Sequence, residues 1–211
     1  KPRETKLGNG IFVTVEASIF KRRGELVAKN SNTHYRFTPK STEARKDKPL
    51  EPPPELDANG ASAEQTTPSD FDWSRQLRFG EVAIGEEVPP FAMWLSYQRV
   101  VMSVAVDRMF SGLHHNRERA RWRGFRDVIF NPRGYEMMFE VMRRRWIGLD
   151  GRIAKLGPFR MTGSSYPSDV VTVSGRVRGR SDDTRRVQVE LLAANDRGEA
   201  GRGEAEIGLP A

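Results

Sequence analysis

The chain contains no cysteine in 211 residues. That excludes a disulfide scaffold, a cysteine-ligated zinc or iron–sulfur centre and thiol catalysis, and it fits a reducing cytoplasm. Histidine is scarce as well, so imidazole chemistry can rest only on His34, His114 or His115. No apolar run approaches the roughly 18 residues of a spanning helix. The opening Lys-Pro-Arg-Glu-Thr-Lys leads into no apolar signal segment. A cytoplasmic protein with no membrane association is expected. Neither GxGxxG nor GxxxxGK followed by Ser or Thr occurs, so Gly80, Gly85, Gly112 and Gly124 build no phosphate-cradling loop.

What is present in excess is positive charge: 35 Lys and Arg against 28 Asp and Glu, a formal +7. A basic surface suits nucleic acid, a membrane, or a small ligand with several phosphates, and it also simply keeps a chain soluble. No helix-turn-helix or RRM-like pattern occurs, so nucleic acid is not the expected partner.

Three regions follow from the pattern. In Ile11 to Phe20 the odd positions are all apolar and the even ones mostly polar, the period of a half-buried strand. A turn at Lys21-Arg22-Arg23-Gly24 leads into a second, more polar strand ending at Pro39, which predicts a hairpin over 10–37. Two strands do not stand alone in water, so residues 1–39 must complete a sheet. Residues 40–74 hold Pro49, Pro52, Pro53, Pro54 and Pro68 among polar side chains, with few large apolar groups before Phe71. This composition predicts a flexible, Pro-rich linker.

Residues 75–211 have the composition of one α+β domain. Leu77 to Val88 reads as a short strand and turn, and Ala92 to Met109 as a buried central helix. Asn116 to Arg123 reads as a short basic helix. Asn131-Pro132 has the form of an N-cap followed by proline at the first helical position, where a missing N–H costs nothing. The helix opened there places Tyr135, Met138, Phe139, Met142 and Trp146 on one face and ends at Gly148. Four strand patterns follow, over 152–161, 170–178, 186–194 and 202–209, with Asn195-Asp196-Arg197-Gly198 as the clearest hairpin turn. Leu156-Gly157-Pro158-Phe159 reads as a bend within or beside a strand.

His114 and His115 beside a basic segment could serve as a general base or simply bond to backbone. The surrounding cations do not suit a metal, and none is expected. Arg117, Arg119, Arg121, Arg123 and the run Arg143-Arg144-Arg145 offer guanidinium groups suited to phosphate, or a solvated basic face.

The stretch Phe110-Ser111-Gly112-Leu113-His114-His115-Asn116-Arg117, with Gly124-Phe125-Arg126-Asp127-Val128-Ile129-Phe130-Asn131, resembles the hydratase motif of MaoC-like hotdog-fold enoyl-CoA hydratases, in particular the steroid side-chain enoyl-CoA hydratase subunits. Phe79-Gly80-Glu81-Val82, Arg145 to Gly151 and Tyr166-Pro167-Ser168-Asp169 support the likeness in the same order and spacing. Thr5 to Thr14 with Gly24 to Ala28 looks like the last strands of another such domain. The resemblance therefore implies a double hotdog with an incomplete N-terminal half. It further implies an antiparallel sheet around a central helix, with the sheet's open face buried against a second hotdog in a homodimer or heterodimer.

The implied activity is addition of water to a trans-2-enoyl-CoA, or its reversal, with coenzyme A as part of the thioester and no separate cofactor. His114 falls on the catalytic histidine. Asn116, Asn131 and Tyr135 are the implied substrate-binding groups, and Arg117, Arg121, Arg143, Arg144 and Arg145 are candidates for the phosphates. The family's Asp, five residues before the histidine, is replaced by Met109, with Asp107 nearby but out of register. The carboxylate two residues after the histidine is replaced by Asn116. The helix-start glycine whose N–H helps hold the thioester carbonyl falls on Pro132, which has none. Loss of the Asp implies about two to four orders of magnitude in rate, and loss of one carbonyl donor about 10² to 10³. The motif is thus degenerate, and a non-catalytic hotdog that binds acyl-CoA and pairs with a catalytic partner is the alternative.

Overall fold

The computed structural model describes residues 2–5, 8–39, 72, 74–106 and 108–211. The expected linker lies almost wholly outside the described residues, as does Asp107. The chain forms two compact units.

The first unit is a three-stranded antiparallel sheet in the order β1 (Arg3–Thr5), β2 (Gly8–Phe20), β3 (Leu26–Pro39). The expected hairpin is there, longer than the alternation marks. The turn closes with Lys21 N–H donating to the Glu25 carbonyl and Gly24 at φ +84°, a conformation open to glycine. Phe12, Val15, Ile19, Phe20 and Val27 are all exposed, from both faces of the ribbon.

The second unit carries the core. Its sheet runs β4 (Glu87–Trp94), β7 (Val170–Ser181), β8 (Arg186–Asn195), β9 (Gly198–Gly208), β5 (Arg152–Leu156), all antiparallel, with the short β6 (Arg160–Met161) also paired to β9. Strict alternation in β8 buries Val187, Val189, Leu191 and Ala193 on one face. The helix α3 (Pro132–Ile147) packs on that face with Tyr135, Met138, Phe139, Met142, Trp146 and Ile147 buried. Asn131 is its N-cap, Pro132 its first residue, and Gly148 at φ +76° ends it, as the sequence predicts. Gly134 is required by packing: a Cβ there would lie 2.3 Å from the Phe130 ring.

Ala92 to Met109 does not form the central helix. Phe91, Met93 and Leu95 are buried in alternation, so Ala92 to Trp94 belongs to the edge strand β4, and only α1 (Tyr97–Ala105) is helical, capped by Ser96. The expected strand over Leu77 to Val88 is instead a 3-10 turn at Phe79–Glu81, with β4 beginning at Glu87. Pro89 and Pro90 fall where the β4–β7 register breaks between Val88 and Phe91, a placement an edge strand tolerates. The basic helix α2 is Arg117–Trp122.

The open face of the sheet is not the apolar surface that burial against a second hotdog requires. Alternate residues of β7, β8 and β9 are charged and paired across strands: Arg178 with Glu190, Arg186 with Glu206, and Lys155 of β5 with Glu204. Such exposed pairs contribute at most about 1 kcal/mol each and mark a solvated face. Among the described residues no helix is long and apolar enough to cross a membrane.

Candidate functional site

His114 closes a 3-10 turn, Gly112–His114, between α1 and α2. Two bonds tie this turn to the segment entering α3: Ile129 N–H donates to the Leu113 carbonyl (3.0 Å), and His114 Nδ1 lies 2.8 Å from the Ile129 carbonyl. A carbonyl only accepts, so Nδ1 carries the proton and Nε2 is the basic nitrogen. Nε2 has no hydrogen-bond partner among the described residues. The side chain is 6% exposed. Burial pushes the imidazole below its ordinary pKa and nearby His115 adds to this, while the bond to Ile129 acts in the opposite direction. The ring is therefore a neutral base at pH 7.

Asn131 sits beside this turn and is 1% exposed. Its Oδ1 accepts from Arg133 N–H at 2.9 Å, which fixes the orientation of the amide and turns Nδ2 toward Met109, 3.4 Å from its sulfur. The position expected to hold a carboxylate thus holds a thioether, a weak acceptor for a buried amide. The start of α3 has no amide to spare. Pro132 lacks one, Arg133 N–H is bonded to Asn131 Oδ1, and Gly134 N–H to the Asn131 carbonyl.

The other expected residues are placed as follows. Asn116 is exposed and caps α2, its Oδ1 accepting from Arg119 N–H at 2.8 Å. Tyr135 is fully buried; its hydroxyl bonds Ser165 Oγ at 2.8 Å, and burial pushes the phenol above its ordinary value. Arg117 makes a two-pronged bond to Asp127, with Nε at 3.0 Å and Nη2 at 2.8 Å, both side chains largely buried. Arg143 is 4% exposed and is paired with Glu140, which also accepts from Arg144 Nε at 3.1 Å. Arg144 further donates to the carbonyls of Leu149 and Gly151 past the helix end. Arg145 lies over the Phe91 ring at 5.1 Å, and Arg121 is half-buried on α2. The structure brings Asn131 against Met109 and ties His114 to the backbone two residues before Asn131. Arg117 is held by Asp127, Arg143 and Arg144 share Glu140, and Arg145 packs on Phe91.

Ser165 escapes sequence reasoning. Its carbonyl takes Phe130 N–H at 2.8 Å and its hydroxyl meets both Tyr135 and Asn195 Nδ2, so it holds the entry to α3 against the β8–β9 turn. Asn195 carries only a turn signal in the sequence. Asp169 is a second such anchor, bonded to Tyr166 N–H, Arg197 and Arg126. Arg197 also pairs with Asp196.

An antiparallel sheet packed on a central helix is the hotdog fold, as expected. No protein-family model matches the sequence, and no curated protein matches it. Solved structures do. The chain is similar to the ChsH1–ChsH2 complex of Mycobacterium tuberculosis (23% identity, 61% of this chain and 98% of that one, TM-score 0.57). It is also similar to the R-hydratase PhaJ1 of Pseudomonas aeruginosa (18%, 64% and 86%, 0.58). A MaoC-like dehydratase aligns over 100% of this chain and 67% of its own length, at 18% identity and TM-score 0.74. At these identities the likeness establishes the fold.

Proposed function

We propose that this protein is a MaoC-like hydratase/dehydratase that adds water to a trans-2-enoyl-CoA or removes it from a 3-hydroxyacyl-CoA. The observation that carries the reading is His114, a buried neutral imidazole whose Nδ1 is held by Ile129 so that Nε2 is left as the base. Nε2 takes a proton from water as the oxygen bonds C3 of the acyl chain. The electron pair of the 2,3 double bond moves onto the thioester carbonyl, and the proton on the ring is then delivered to C2. Asn131 Nδ2, which among the described residues donates to the weak acceptor Met109 Sδ, is the donor to the carbonyl oxygen in place of the missing helix-start amide. Asn116 lines the same turn. Tyr135 acts indirectly, holding Ser165 and through it the entry to α3. Arg117, Arg143 and Arg144 are engaged by Asp127 and Glu140, which makes them poor candidates for the phosphates of the coenzyme.

The test is the purified protein with a panel of short, long and steroid-type enoyl-CoA esters, followed at the enoyl absorbance. Hydration abolished by His114→Ala supports the reading, and the best ester assigns the acyl class. Hydration unaffected by that change removes the assignment.

A second reading, a non-catalytic hotdog subunit that binds acyl-CoA beside a catalytic partner, is favoured by Met109, Pro132 and the fully engaged first turn of α3. The similar ChsH1–ChsH2 structure is itself a complex of two chains. Full activity of the isolated chain counts against this reading. Activity that appears only with a second hotdog chain carrying an intact Asp and His supports it. We further infer that β1–β3 are closing strands of another hotdog, a reading supported by the alignment of the whole chain with the MaoC-like dehydratase.

A further inference from the structure

The bond that orients His114 spans 15 residues of chain, from the ring Nδ1 to the Ile129 carbonyl. Between the two, the chain leaves the turn, forms the six-residue helix α2 and returns to the entry of α3. A helix of that length does not hold itself in water, so other contacts must keep the two ends of this excursion together. Arg117 and Asp127 lie just inside those ends, three residues after His114 and two before Ile129. Their contact is a fork. Arg117 Nε is 3.0 and 3.1 Å from the two carboxylate oxygens, and Nη2 is 2.8 Å from Oδ2. Asp127 Oδ1 also accepts from Val128 N–H at 2.7 Å, which fixes the carboxylate to the backbone one residue before Ile129.

Both side chains are largely withdrawn from water, at 17% and 14% exposure. Burying two charges costs nearly what their attraction returns, so such a pair is a weak source of stability and its use lies in geometry. The planar fork admits one relative orientation of the two groups, which a lysine contact would not impose. Tyr97 of α1 braces the same excursion, its hydroxyl donating to the His115 carbonyl at 3.2 Å. Burial pushes this phenol above its ordinary value, and the charge of Asp127 adds to that while Arg117 opposes it, so Tyr97 lies within the field of the pair.

We propose that Arg117 and Asp127 are positioning residues for the base: their fork holds the ends of the excursion together and so keeps the Ile129 carbonyl on His114 Nδ1. Neither touches substrate. With the fork intact the ring proton is confined to Nδ1, and Nε2 is left free. With the fork broken the ring gains its second tautomer, and the fraction of molecules with a correctly placed Nε2 falls. Misplacing a reacting group by about 1 Å costs on the order of 10² in rate. The effect on rate rests on the hydratase reading, whereas the effect on the ring does not.

The test uses the full chain with Arg117→Gln, Asp127→Asn, the two combined, and Arg117→Lys. Asp127→Asn keeps an acceptor for Val128 N–H while removing the charge. Arg117→Lys keeps the buried charge paired, and so the fold, while removing the fork. Imidazole ¹⁵N shifts report the tautomer of His114, and steady-state hydration of a trans-2-enoyl-CoA gives kcat and KM. The wild type should show the Nδ1–H tautomer alone. Each single variant should show a mixture, with kcat down about 10- to 100-fold and KM within about twofold. The combined variant should be no worse than either single one, because the two residues act as a unit. Arg117→Lys should show the mixture with a smaller fall. Arg178→Gln, which breaks the exposed pair with Glu190 on the sheet, is the control and should change neither readout. Folded variants that melt earlier but keep one tautomer and the wild-type kcat overturn the proposal, since that is the behaviour of a pair that only stabilises. Additive losses in the combined variant overturn it as well. A wild type that hydrates no enoyl ester removes the hydratase reading, and the tautomer then decides the positioning role by itself.

Discussion

Along α3 the second half sets Phe139, Met142, Trp146 and Ile147 into the core, while the segment entering its first turn is bonded through the Ile129 carbonyl to a buried histidine. The second half is held by apolar area, which has no direction and tolerates repacking. The first turn is held by a few directional bonds: Ile129 to Leu113 and His114, Phe130 to Ser165, Asn131 to Arg133 and Met109. The comparison teaches that one helix divides stability from chemistry along its length. Changes in the second half should cost folding free energy, and changes at the start should cost rate.

The largest effect that would break this division is at Trp146, buried at 2% exposure with its Nε1 bonded to Glu86 at 3.2 Å. Trp146→Ala should destabilise by about 3 to 5 kcal/mol in denaturant titration. Asn131→Ala should lower the hydration rate by about 10² to 10³ if its amide holds the carbonyl, while the lost cap costs only about 1 kcal/mol. A stability loss as large as that of Trp146 with an intact rate would dissolve the distinction. Tyr135→Phe lies between the two ends; it removes the bond to Ser165 and should cost about 1 kcal/mol with little change in rate. The smallest effect is expected in the other unit, where exposed Val15→Ser on β2 should leave the melting of the α3 unit unchanged.

Acid sharpens the same contrast. The folded pKa of His114 lies below its ordinary value, so as pH falls the unfolded chain takes up this proton first. Stability from this group therefore declines from about pH 6.5 down to the folded pKa and then levels off. The hydration rate, which needs the neutral ring, should hold through that window and fall only near the folded pKa. A rate limb at or above the ordinary histidine value would contradict the burial argument.

Much of this was legible in the residues. β7 to β9 follow from alternation and their turns, and the start of α3 from Asn131-Pro132, because these signals are local. The central helix was misplaced because Phe91 to Leu95 and Val100 to Val106 are both apolar, and a continuous run does not separate a buried strand from a helix. His114 was legible through its motif, but the atom that orients it, the Ile129 carbonyl, is backbone and has no residue code. The Arg117–Asp127 pair and the burial of Arg143 were not legible either. A run of three arginines reads as solvent-facing, and only the packing of α3 shows that the first of them points inward.

The central claim is that a neutral, buried His114 is the base for water addition. The direct measurement is the pH dependence of initial hydration rate for a trans-2-enoyl-CoA, in the wild type and in His114→Ala. The account predicts a single acid limb below pH 6.5 in the wild type, and a loss of about 10² or more with no such limb in the variant. A variant that keeps both the rate and the limb would contradict it.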